Sequence, residues 1–199
     1  MEFVHDARTS HWEFYLQRIP STRLLAPRER LDGMCFQQFM MVDTYFSRFL
    51  ITKKEEFLDR MVASLYLKEN ERFALSFESA PSLFKRNPVL LNMEKRLPVI
   101  RALSKEIKFA LFLNFILIKR WLGAAYPHLF PQAEEEEKES QRKKNKKEQK
   151  KQVTTNWLEI FDSFVGDNIP QAEKYQIMPV MDAFRILNRK IRDAKKHNH

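Results

Sequence analysis

The clearest periodic signal in the chain lies between Phe36 and Leu50. Apolar residues at Phe36, Phe39, Met40, Phe46, Phe49 and Leu50 follow helical spacing, so one stripe of a helix faces a core. Thr52 followed by Glu55 has the spacing of a capping box. It predicts a second helix running to about Leu67, with Phe57, Leu58, Met61 and Leu65 on its apolar stripe. Thr9–Ile19, rich in aromatics at Trp12, Phe14 and Tyr15, predicts an earlier helix ended by Pro20. Residues 68–97, interrupted by Pro81 and Pro88, predict loop with a short extended piece. Pro98 is suited to the first turn of a long helix reaching Leu122, with Gly123 and Pro127 beyond it.

The most apolar run, Phe109–Ile118, is 10 residues long and flanked by Lys108 and Lys119. A membrane span needs roughly 20 apolar residues, so this run predicts a buried central helix and no membrane association. The opening MEFVHDARTSHW lacks the apolar core of a signal peptide.

From Ala133 the pattern changes. Glu134–Lys151 contains no apolar residue, so it cannot contribute to a core. Helical spacing then returns: Asn156 and Glu159 are placed to cap a helix carrying Trp157, Ile160, Phe161, Phe164 and Val165, which Gly166 stops. Pro179 opens a last helix to about Lys196. The expected architecture is mainly α. A helical globular body (1–132) is joined by a charged linker (133–152), disordered or a solvated helix, to a small two-helix C-terminal module (153–199).

Composition supports this class. Only 3 glycines, at 33, 123 and 166, leave little material for sheet turns or phosphate-cradling loops. A hydrophobic share of 44% is enough to build a core. The single cysteine, Cys35, excludes an intrachain disulfide and a cysteine-built metal site, and suits a reducing compartment.

The net charge of +9 is unevenly distributed. Residues 141–151 carry +6 and residues 185–199 carry +5, which leaves the remainder at −2. The last helix divides into two stripes. Val180, Phe184, Leu187, Ile191 and Ala194 form the apolar one; Arg185, Arg189, Arg192 and Lys196 form a basic one. Cations near a helix C-terminus also favour its dipole, so a docked helix with a solvated basic face accounts for much of the pattern. The functional alternatives are phosphate contact by Lys143, Lys144, Lys146, Lys147 and the helix stripe, or an acidic protein partner.

No nucleotide-binding, nucleophile-elbow or zinc-protease motif is present, and the five histidines show no metal-ligand spacing. Glu159, Asp162 and Asp167 read as helix surface and turn chemistry rather than a paired-carboxylate site. The expectation is a protein without catalytic residues, metal or cofactor. Methionines close to aromatics (Met34, Met40, Met41, Met61, Met93) are ordinary core filling in the main. Met40-Met41 is the exception, because adjacent helical residues cannot both face one neighbour, which points one of them at an exposed groove.

Several phrases together carry a resemblance: "FQQFMMVDTYF" at 36–46, "KKEEFLDRMVASLYL" at 53–67, "IKRWLGAAYPHLFP" before the linker and "NWLEIFDSFVGDNIPQAEKYQIMPVMDAFRILNRKIRD" after it. The layout resembles small proteins of phages and prophages of Bacteroidetes-type bacteria, whose place beside tail genes suggests tail-assembly chaperones. The resemblance implies a helical, non-enzymatic factor in the cytoplasm of the bacterial host, holding a tape-measure or other tail protein. Phe36, Met40, Met41 and Phe57 would line its groove, with Arg185, Arg189, Arg192 and Lys196 as a second contact. Self-association, a nucleic-acid-associated protein and a structural virion component (connector or tail) stay open as readings.

Overall fold

The structure, a computed structural model, describes residues 14–20, 22–69, 71, 92–130, 155–166 and 172–197. Seven α-helices occupy most of them: α1 (Phe36–Thr52), α2 (Glu55–Leu65), α3 (Met93–Arg101), α4 (Lys105–Ala125), α5 (Trp157–Val165), α6 (Ala172–Ile177) and α7 (Val180–His197). Two two-residue strands, β1 (Leu24–Leu25) and β2 (Leu67–Lys68), pair antiparallel with Leu24 opposite Lys68. The fold is mainly α, as the periodicity predicts.

α1 and α2 form a tight hairpin. α1 ends where Lys53 adopts a left-handed conformation (φ 56°) and its N–H bonds the Phe49 carbonyl at 2.8 Å. The predicted capping box does not form. Thr52 belongs to the last turn of α1, where its hydroxyl donates to the Arg48 carbonyl at 2.8 Å. α2 instead starts with Glu55 and Glu56 in its first turn, which favours the helix dipole.

Three other expectations are corrected. Residues 14–19 are not helical; the stretch is irregular, with Arg18 bridged to Leu25. Pro98 lies inside α3 rather than opening the long helix. α4 starts at Lys105 because the Ser104 hydroxyl accepts the Ile107 N–H, a local cap that outcompetes a proline at the first turn. α4 is also less central than its apolarity suggests. It buries Leu111, Phe112, Phe115, Ile118 and Leu122 but exposes Phe109 by 48% and Leu113 by 57%. Among the described residues no helix is long and apolar enough to cross a membrane.

The helices after the linker share the core of those before it. Phe36 of α1 meets Trp157, Phe161, Phe164 and Phe184 with ring centroids 5.8 to 6.4 Å apart. Phe39 and Phe184 approach to 4.7 Å. The backbone joins them too: the Phe36 N–H donates to the Met178 carbonyl at 2.9 Å and the Val180 N–H to the Met34 carbonyl at 3.0 Å. The described parts of 1–132 and 153–199 therefore share one hydrophobic cluster. The expected linker, 133–152, lies outside the described residues, as do most of 68–97, Asp167 and the basic residues of 141–151.

Three buried charge clusters fasten the helices. Arg96, 1% exposed, bonds Glu71 at 2.9 Å and donates through Nε to the Ala63 carbonyl at 2.8 Å. Lys108 lies 2.7 Å from Asp59 and 3.1 Å from Glu55. Asp43 accepts from Lys119 at 2.6 Å and from the Trp157 indole at 2.7 Å. Isolated buried charges are costly, so each pair constrains which helices can be neighbours.

Candidate functional site

A groove of about 330 Å³ runs along the outer face of α1 where α5 and α6 pack beside it. Its α1 wall comes from Gln37, Met40, Met41, Thr44, Tyr45 and Arg48. These positions recur every three or four residues, so they form one helical face over about three turns, or ~16 Å. The opposite wall is Trp157, Leu158 and Phe161 of α5, with Gln176 of α6 at one side.

The chemistry is apolar with polar margins. Leu158 is 76% exposed, the largest exposure among the large apolar residues described. Met40, Met41, Tyr45 and Phe161 are half-buried and rest on the core. Gln37, Gln176 and Thr44 contribute amide and hydroxyl groups, and Arg48 is the one charged lining residue. Arg48 is held over the Phe57 ring, 5.7 Å from its centroid.

The base of the groove is rigid. Phe36 lies beneath it, fully buried and 6.4 Å from the Phe161 ring. Trp157 is fixed by its indole bond to Asp43, which Lys119 in turn holds from α4. The exposed side chains therefore stand on a base locked from three helices.

The sequence-derived candidates divide accordingly. Met40 and Met41 both line the groove, where the adjacency argument pointed only one of them at it. Phe36 does not line it: ring contacts with the C-terminal helices remove it from the surface altogether. Phe57 lies past its end, under Arg48. Arg185, Arg189 and Arg192 sit elsewhere, in a second cleft against the end of α4, while Lys196 is exposed further along α7. Leu158, Tyr45, Gln37 and Gln176 were not singled out from the sequence. Leu158 did carry a signal, as an apolar residue off the 157/160/161/164 stripe.

Cys35 is buried at the bridge to Pro179, and burial pushes its thiol up to about 11. Glu159 and Asp162 are exposed on α5. Among the described residues no three His, Cys, Asp or Glu side chains are grouped to hold a metal ion.

Compared with known proteins, the chain matches no family model, no curated protein and no solved structure.

Proposed function

We propose that the protein is a non-enzymatic phage assembly factor, a tail-assembly chaperone whose α1/α5 groove holds an amphipathic helical segment of the tape-measure protein. The observation that carries this reading is the exposed, methionine-lined groove on a locked aromatic base. Unbranched methionine side chains adapt to different apolar partners at little cost. A groove about three turns long suits a helix that inserts side chains at i, i+3, i+4 and i+7. Arg48 at its margin favours an acidic residue on that segment. The phage setting comes from the resemblance of the sequence phrases.

Co-purification with the tape-measure product of the same gene neighbourhood tests the proposal. The expected result is a complex at micromolar concentration that Leu158→Glu and Met40→Glu weaken by about tenfold or more, since each places a charge in an apolar contact. Leu158 is exposed and Met40 is half-buried, so thermal melting of each variant checks that the fold is retained. Absence of a complex between the two folded proteins would sink the assignment. A chaperone should also be missing from purified particles, whereas a connector or tail subunit would be found in them.

A further inference from the structure

A second cleft, of about 550 Å³, lies between the end of α4 and the outer face of α7. Ala125 and Tyr126 form one side; Arg185, Asn188, Arg189 and Arg192 form the other. It shares no lining residue with the α1/α5 groove. Asn188 shapes it: its Oδ1 accepts the backbone N–H groups of His128 at 2.9 Å and Leu129 at 3.1 Å, which fixes the loop after α4 against α7. On the core side, Tyr126 packs edge-on against Phe184, 5.7 Å away, and so has little freedom to move.

We propose that this cleft binds single-stranded nucleic acid, with Arg185, Arg189 and Arg192 on consecutive phosphates and Tyr126 forming the aromatic side. The spacing supports it. Seven residues of helix span about 10 Å, so the three guanidiniums form one row along which successive phosphates of a strand can lie. Aromatic side chains beside a basic track are how sequence-tolerant single-strand binders hold bases.

The charge arrangement is consistent with an exchangeable anion. Arg185 is paired with Asp182 at 3.0 Å and Arg192 with Asp193 at 3.1 Å, both at the surface. Exposed pairs of this kind contribute little, while a guanidinium–phosphate contact is bidentate and stronger, so phosphate can displace the carboxylates. Arg189 has no acidic partner among the described residues and supplies the uncompensated charge. The carbonyl end of α4 opposes an anion here. Arginine, rather than the bare helix end, is therefore required at the cleft.

The test is fluorescence anisotropy of the full chain with a labelled twenty-residue oligothymidylate, from about 50 to about 200 mM salt. The triple variant Arg185→Gln, Arg189→Gln, Arg192→Gln should bind about tenfold more weakly at the lower salt, with a salt slope shallower by about 2, the value for three lost single-strand phosphate contacts. A control with Lys143, Lys144, Lys146 and Lys147 replaced by Gln separates the cleft from general basicity and should retain the cleft's share of the slope. Wild-type binding by the triple variant overturns the proposal, as does loss confined to the lysine control, or no binding by the native chain. Displacement of the oligonucleotide by polyglutamate at equal charge overturns it in favour of an acidic protein partner. Circular dichroism melts of each variant confirm that the fold is retained.

Discussion

The indole nitrogen of Trp157 donates a 2.7 Å hydrogen bond to Oδ2 of Asp43, a residue 114 positions earlier in the chain. The other oxygen of the same carboxylate accepts from Lys119 at 2.6 Å. One buried acid thus ties α1 to α4 and to α5. Asp43→Ala should destabilise the protein by about 3 kcal/mol, because it leaves the Lys119 ammonium without its partner and the indole N–H without an acceptor. Urea unfolding measures this. Trp157→Phe removes only the indole bond and should cost about 1–2 kcal/mol.

The shared aromatic core has a consequence for cooperativity. Phe36 touches rings from α5 and α7, so helices on both sides of the linker should unfold together. Tryptophan fluorescence and far-ultraviolet circular dichroism should give coincident transitions, as two-state unfolding requires. Phe36→Ala should cost about 3–5 kcal/mol, the usual range for emptying a buried aromatic site. Two separated transitions in the native chain would restore the picture of an independent C-terminal module.

Lys108 predicts an alkaline limit. Burial lowers its ammonium pKa, but hydrogen bonds and charge from Asp59 and Glu55 together outweigh burial and hold it above the ordinary 10.5. A raised folded-state pKa stabilises the protein fully below the unfolded value, and the contribution is lost as pH climbs through the folded one. Urea midpoints should therefore be insensitive to Lys108 at neutral pH and fall above about pH 10.5. Lys108→Arg, which does not titrate there, should show a shallower fall. The Cys35 thiol is common to both proteins and cancels in the comparison.

Cys35 offers a simple probe of global opening. It is 3% exposed, and burial raises its thiol to about 11, so the nucleophilic thiolate is scarce in the native state. Alkylation near pH 8 should be slow and should speed up with urea in step with unfolding. Rapid labelling of the folded protein would show that the bridge between Cys35 and Pro179 opens locally.

How much of this could be read in advance depended on whether the cause was local. The stripe of α1, the Asn156 cap and the proline opening α7 are set by neighbours in sequence, and they stand as predicted: Asn156 Oδ1 accepts the Glu159 N–H at 3.5 Å. The Thr52 box and the Pro98 start failed because a nearby element had a stronger claim: the last turn of α1 took Thr52, and the Ser104 cap set the start of α4. For Met40 and Met41 the adjacency argument pointed one of them at an exposed groove, whereas both line it. Phe36 was misplaced because an apolar stripe says that a face is covered, not which helix covers it.

The sequence by itself determined the helical class, the start of α1, the span of α7 and the concentration of positive charge in 141–151 and 185–199. Those follow from periodicity, capping chemistry and composition, which act over a few residues. Only the tertiary structure decided that Trp157 reaches Asp43, that residues on both sides of the linker share one core, and that an exposed Leu158 faces two methionines. Such pairings depend on shape and on satisfying buried charges between helices distant in sequence, and no spacing along the chain encodes them.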